Sequence, residues 1–298
     1  MLFNITNTNH PDIFRKTFYQ YMTDHYTMDY CYKKNNIFRI MSFNVYQWMN
    51  AIHQPNFDNQ VNVIRQLNPD IFILQEAVLD ISLSDNDHHI KRFIDLGYSH
   101  YLYSNDILLD YNSNMSYGNI IFSKIPFIHQ RIINTSIGNN TNNEKYSCLY
   151  VELENNIHLF GTHLNVYDST DNTRKKQLEI IYQVINTIDS PNIIFMGDLN
   201  LLYKPQLTPL QWEYQVLHDK NRHIITSSHA YQTINNNHFI DIFDYLKKTP
   251  PPISCCYDRR VDYIFIHQNF NHLCNDTQIV NTNVSDHLPI YLDLILLK

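Results

Sequence analysis

The chain has 298 residues, 44% of them hydrophobic and 17% charged, which allows a sizeable core and excludes a disordered chain. Its formal net charge of −7 argues against a protein that coats nucleic acid by bulk attraction, leaving room only for a local basic groove. Five Cys without a CxxC pair argue for reduced thiols rather than a disulfide framework or a thiolate zinc site.

In chain order, residues 1–36 read as an extension ahead of a main domain over 37–298. Pro11 suits the first turn of a short helix, Asp12 to Met22. Met28–Lys34 and Ile37–Val45 flank Asn35-Asn36, a two-residue hairpin turn because Asn tolerates positive φ. From residue 37 onward, short β-rich runs are expected at Ile37–Val45, Ile71–Leu74, Tyr117–Phe122, Ser147–Leu153, Ile157–Thr162, Asn192–Met196, Val261–Ile266 and Leu288–Leu294. Phe57, Val61, Ile64 and Leu67 fall at helical spacing, as do Leu178, Ile181, Tyr182, Ile185 and Ile188. Pro69 and Pro191 follow these helices, where helix stops belong. Strands outnumber helices, so two packed sheets with helices outside are expected, in one domain. The first residues, MLFNITNTNHPDIF, lack a basic region followed by an apolar run, so no secretory signal is visible, and no run reaches the ~18 apolar residues of a membrane span. An intracellular monomer, cytoplasmic or nuclear, is the expectation.

Several strands end alike: an apolar run, then one or two polar groups. These are FRIMSFNV with Asn44, IFILQE with Glu76, HLFGTHL with His163, IIFMGDLN with Asp198 and Asn200, RRVDYIFI with Asp262, and NVSDHLPI with Asp286 and His287. Singly, most have an ordinary structural explanation. Asn44 and Asn200 are two of 37 Asn, and Asp198 follows Gly197 as a turn former would. Asp262 is harder to dismiss, because an acid inside VDYIFI must face a partner or cost several kcal/mol to bury. The ordered set is the signal, since active sites on sheet scaffolds are assembled from strand ends and the loops beyond them.

Together with YGNIIFSKIP, these motifs resemble the endonuclease/exonuclease/phosphatase superfamily from about Ile37 to Lys298. This is the fold of pancreatic deoxyribonuclease, abasic-site endonucleases, tyrosyl-DNA phosphodiesterases and inositol-polyphosphate phosphatases. The resemblance implies an α+β fold, a four-layer αββα sandwich of two mainly antiparallel sheets with helices outside. The donor set of carboxylates, amides and imidazoles suits Mg²⁺, or Mn²⁺, rather than a thiolate-selected metal. Carried over by resemblance, Glu76 is the main metal ligand, with Asn44 beside it and Asp286 contributing directly or through water. Asp198 orients or deprotonates the attacking water, and Asn200 donates to the phosphoryl oxygens. His287 contacts the scissile phosphate, oriented by Asp262, and His163 occupies the position of a second catalytic His. The implied reaction is hydrolysis of a phosphate ester by in-line attack of water.

Substrate class is less legible. Glu76 is followed by Ala77-Val78, without the Lys typical of abasic-site endonucleases, and the chain after GDLN lacks the Arg-Asp pattern of tyrosyl-DNA phosphodiesterases. Arg259 and Arg260 precede the VDYIFI strand and are expected to bind phosphate, with Tyr117 as a further substrate contact. The favoured partner is a nucleic acid, which makes the chain a nuclease or nucleic-acid phosphodiesterase. The alternative is a phosphatase or phosphodiesterase acting on a small-molecule or lipid-headgroup phosphate. An inert binding module would be expected to lack at least one of Glu76, Asp198, Asn200, Asp262 or His287, and none is missing.

Overall fold

The computed structural model describes residues 11–24, 33, 36–109, 114–137, 145–167, 170–251 and 253–296. One sheet holds β1 (Phe38–Asn44), β2 (Ile71–Asp80), β3 (His100–Tyr103), β4 (Ile107–Leu108), β5 (Met115–Ser123), β12 (Leu273–Ile279) and β13 (Ile290–Ile295). The other holds β6 (Phe127–Asn134), β7 (Ser147–Leu153), β8 (His158–His163), β9 (Ile193–Asp198), β10 (Phe239–Asp241) and β11 (Asp262–His267). Their orders are β12-β13-β1-β2-β5-β3, with β4 also on β5, and β10-β11-β9-β8-β7-β6. Each sheet has one parallel pair near its middle, β1 with β2 and β8 with β9, and antiparallel neighbours elsewhere. Each parallel pair is joined through a helix, α2 (Phe57–Leu67) in the first sheet and α4 (Asn172–Ile185) in the second, as parallel connections require.

Successive strand residues face opposite ways, so a strand covered on both sides must be apolar on both. Ile40, Ile71, Ile73 and Ile121 of the first sheet meet Leu149, Leu159, Ile194 and Ile264 of the second. On the far face of the first sheet, Met41, Phe43, Phe72 and Leu74 pack on Val61 and Ile64 of α2 and on Ile90 and Phe93 of α3 (His88–Asp95). Outside the second sheet, Phe160, Phe195 and Phe265 pack on α4 and on Tyr231 and Ile234 of α6 (His229–Asn236). These three apolar seams separate four layers, helix, sheet, sheet and helix. Two further helices are α5 (Pro209–Asn221) and α7 (Ile242–Tyr245). No helix among the described residues is long and apolar enough to cross a membrane.

The expected first helix is present as α1 (Pro11–Asp24). It is no loose appendage, because Phe18, fully buried, and Met22 join the seam between the sheets. The hairpin expected of Met28–Lys34 falls, Lys33 apart, outside the described residues, while both edges of β1 are taken by β13 and β2. Strand β2 runs past Leu74 to Asp80, and edge strands such as β6 and β12 carry no continuous apolar run.

Across the β1–β13 ladder, Arg39 stands opposite Asp293. Its Nε and Nη2 donate to the two carboxylate oxygens at 2.7 and 2.8 Å, and Nη1 donates to the Leu67 carbonyl at the end of α2 at 2.9 Å. Removing one partner leaves the other charge buried alone, so Asp293→Ala should cost about 3–5 kcal/mol. Urea unfolding would read this as a lower midpoint with an unchanged slope, and a loss below about 1 kcal/mol would contradict a structural role for the pair.

Candidate active site

Register assembles the site. In the second sheet His163 pairs with Asp198 across β8–β9, and Asp198 pairs with Asp262 across β9–β11. Directly opposed residues point to the same face, so the three side chains form one row at the strand ends. The first sheet contributes Asn44 from the end of β1 and Glu76 from within β2. A register shift between Leu74 and Ala77 against β5 marks a bulge, and Glu76 takes φ +58° within it. The bulge turns Glu76 out of the ladder and toward the site, a common use of such irregularities beside active sites. Asn200, just after β9, also has positive φ, +50°. Gly197 has φ +145°, and a Cβ there would stand 1.8 Å from the Thr162 carbonyl oxygen, so only glycine fits before Asp198.

Asp198 lies at the centre, 2% exposed. Its Oδ2 accepts from Asn44 Nδ2 at 3.0 Å and faces His163 Nε2 at 3.5 Å and His287 Nε2 at 3.6 Å. Those two separations exceed a good hydrogen bond, so both imidazoles and the carboxylate face one another across a gap, a spacing that can tighten around a bound reactant. His287 Nδ1 lies 3.0 Å from Asp262 Oδ2, which also accepts from Ser254 Oγ at 2.6 Å. Burial works against charge on His287, but Asp262 and Asp198 outweigh it and hold its pKa well above the ordinary value. The imidazolium therefore offsets charge in the buried grouping of Asp198, Asp262 and His287, whose ligand-type atoms lie within 4.8 Å of one another, although Asp262 Oδ1 has no hydrogen-bond partner among the described residues.

The place for a divalent cation is the neighbouring pair, Glu76 and Asp286. Burial pushes Glu76 up, His163 works against that, and the charge of Asp286 adds to it. Asp286 is 2% exposed and its Oδ1 has no hydrogen-bond partner. A buried carboxylate oxygen of this kind calls for an ion, a water or a substrate donor, and an all-oxygen donor set fits a hard cation. Asn44 departs from the expected ligand role. Its Nδ2 donates to both Glu76 Oε1, at 3.1 Å, and Asp198, while its Oδ1 accepts from Tyr46 N at 3.0 Å. Its amide thus straps the two carboxylates together.

Glu76, His163, Asp198, Asn200, Asp286 and His287 line one cleft of about 470 Å³, with Asn44 and Asp262 behind its wall. Tyr117 lines it too, its hydroxyl kept neutral by burial and by the charges of Glu76 and Asp198. Asn200 Nδ2 donates to the Leu164 carbonyl at 3.0 Å, leaving its second amide hydrogen for a ligand. Arg259 reaches the cleft wall, where its Nη2 donates to Asp219 Oδ1 at 2.7 Å. The expectation for Arg260 is corrected: it is 4% exposed and forks onto both oxygens of Asp241, at 2.6 and 3.0 Å, away from the cleft. Its charge is consumed by that buried pair.

Sequence reasoning missed Ser254, Arg15 and Asp106, which no motif marks. Arg15, on α1, lines the cleft and reaches Asp286 Oδ2 with its Nε at 3.4 Å. Asp106, also on the cleft, accepts from Ser104 Oγ at 2.8 Å and Ser147 Oγ at 3.0 Å. Burial nevertheless outweighs those hydroxyls and raises its pKa to about 6. A carboxyl raised in the folded state stabilises fully below its unfolded value, 3.8, and loses that contribution as pH rises through about 6. Asp106→Asn should remove this slope, so the stability of wild type relative to the variant falls by about 3 kcal/mol over that window. Denaturant unfolding at several pH values reads it, and parallel stability curves would contradict the assignment.

The family model described as the Endonuclease/Exonuclease/phosphatase family matches residues 41–287. Among solved structures, the endonuclease/exonuclease/phosphatase from Beutenbergia cavernae superposes with a TM-score of 0.63 at 20% identity, covering 87% of this chain and 72% of that one. ANGEL2, a 2′,3′-cyclic phosphatase, gives 0.61 at 17% identity over 88% and 96% of the two chains. An AP endonuclease from Archaeoglobus fulgidus gives 0.59 at 16% identity over 86% and 98%. No match was found among curated protein sequences. At these identities the structures speak to the fold, a two-sheet sandwich like this one, while the family model spans nearly the whole main domain and every strand-end residue of the site. The chain belongs to the endonuclease/exonuclease/phosphatase family and is a metal-dependent phosphoesterase.

Proposed function

We propose that this phosphoesterase is a nuclease or nucleic-acid phosphodiesterase using Mg²⁺ or Mn²⁺. The observation that carries the reading is the extent and lining of the cleft beyond the carboxylates. It shares Ile225 and Ser227 with a second groove lined by Trp212 and Lys204, and Lys204 Nζ lies 5.2 Å from the Trp212 ring centroid. Tyr167, 71% exposed, lines the cleft, as do Tyr46 and Tyr257. Aromatic faces and cations in two adjoining grooves suit a single strand, whose bases stack while its phosphates meet the cations. A small phosphomonoester would use only the floor.

In this reading Asp198 takes a proton from the attacking water, and the His287 imidazolium donates to a phosphoryl oxygen as charge builds there. Asp262 and Ser254 fix the orientation of that imidazole, while Asn200 gives its free amide hydrogen to the same phosphoryl group. His163 stands on the other side of Asp198, within reach of the leaving oxygen. Glu76 and Asp286 would hold a divalent cation, which when bound would neutralise charge on the phosphoryl group.

The test is kcat/KM for single-stranded d(T)8 and for bis-p-nitrophenyl phosphate, measured across a salt series with His287→Ala as the control. Each phosphate contacted should contribute a slope of about −0.7 in the log–log plot, so three contacts give about −2 for the oligonucleotide. The small diester should stay nearly flat, and His287→Ala should lower both rates by about 10²–10³. Equally flat profiles, or a preference for a phosphomonoester, would move the reading to small-molecule phosphates.

A further inference from the structure

Helix α1 lies outside the stretch matched by the family model, yet it places a guanidinium in the cleft. Phe18 and Met22 hold the helix by entering the seam between the sheets, and Asn283 Nδ2 donates to Thr23 Oγ1 at 3.1 Å near its end. Arg15 is thereby set between two rings, its Cζ 5.1 Å from the centroid of Tyr46 and 5.4 Å from that of Tyr257. Arg222 approaches the same Tyr257 ring, at 5.5 Å, and also lines the cleft. Tyr257 thus carries two cations.

Neither cation is consumed by the fold in the way Arg260 and Arg39 are. The Arg15 contact to Asp286 is a single one at 3.4 Å, well beyond the 2.7–2.9 Å usual for a charge-assisted bond. Among the described residues its Nη atoms have no hydrogen-bond partner and Arg222 has no ion pair. A planar fork stacked on aromatic faces keeps its orientation while its N–H groups stay available, which suits bidentate capture of a phosphate. Around a site rich in carboxylates on a chain of net charge −7, these guanidiniums provide local positive charge where an anionic substrate must enter.

We propose that Arg15 and Arg222, arranged about Tyr257, form a second phosphate subsite that holds a phosphate flanking the scissile one. The subsite makes α1 a specificity element that selects substrates with more than one phosphate. This deepens, and rests on, the nucleic-acid reading of the cleft.

The experiment compares wild type, Arg15→Gln, Arg15→Lys and Arg222→Gln on d(T)8, on the dinucleoside monophosphate TpT and on bis-p-nitrophenyl phosphate. Anisotropy of labelled d(T)8 without added metal gives binding apart from turnover. Each Gln variant should lower the ratio of kcat/KM for d(T)8 to that for TpT by 10–100-fold, mainly through KM. Each should also weaken d(T)8 binding and reduce the magnitude of its salt slope by about 0.7. Arg15→Lys should recover only part of the ratio, because an ammonium keeps the charge but not the fork. Arg222→Gln, on the exposed side of the ring, keeps the test open if Arg15→Gln fails to fold. A wild type inactive on d(T)8 would overturn both the nucleic-acid reading and the subsite. A wild type active on d(T)8, with variants that lower d(T)8 and TpT alike, would overturn the subsite alone. So would an Arg15→Gln variant whose only change is tighter Mg²⁺ binding in a thermal titration, since Arg15 would then be a plug on Asp286.

Discussion

Four carboxylates, Glu76 from the bulge in β2, Asp198 and Asp262 from the ends of β9 and β11, and Asp286 from the loop before β13, converge on one site, and their mutual repulsion is what the neighbouring structure must offset. Each finds a different answer. Asp262 takes the Ser254 hydroxyl and the His287 imidazolium, and Asp198 takes the Asn44 amide and faces two imidazoles. Glu76 shares Asn44 with Asp198, while Asp286, with one oxygen unpartnered as in Asp262, has no imidazole or hydroxyl among the described residues and holds Arg15 only loosely. Unmet demand for positive charge therefore rises from the interior of the site toward Glu76 and Asp286, where a cation is accommodated at least cost.

The scaffold meets that demand by local departures from regular geometry. A straight β2 would alternate Gln75 and Glu76 across the sheet, whereas the bulge and positive φ at Glu76 redirect its carboxylate. Gly197 lets β9 pass close to the Thr162 carbonyl, and Asn200 turns the chain straight afterwards. Such positions cost of order 1–3 kcal/mol each and are held by stiff surroundings, here the three apolar seams and the Arg39–Asp293 pair. Strand register then sets His163, Asp198 and Asp262 abreast without any loop having to place them.

Much of this was legible in the sequence because the site sits on buried strands. A strand covered on both faces is an apolar run, so a polar residue in or beside it stands out, and Asn44, Glu76, His163, Asp198, Asp262 and His287 could all be read that way. Edge strands such as β6, largely exposed, have no such run and left no signal. Groups that act through space were equally silent. Ser254 precedes its motif by several residues, Asp106 sits in an unmarked loop, and Arg15 lies on a helix whose only visible feature is Pro11. Arg260 shows the converse limit, since a basic residue beside a motif strand looks like a phosphate ligand until its buried partner Asp241 is seen.

The central claim is that the protonated His287 offsets the charge of Asp198 and Asp262, so the divalent cation goes instead to Glu76 and Asp286. Crystals soaked in Mn²⁺ and measured for anomalous scattering test this directly. The account predicts an anomalous peak coordinated by oxygens of Glu76 and Asp286, and none for crystals of Glu76→Ala. A peak held by Asp198, Asp262 and the His287 ring, or no peak at saturating Mn²⁺, would contradict it.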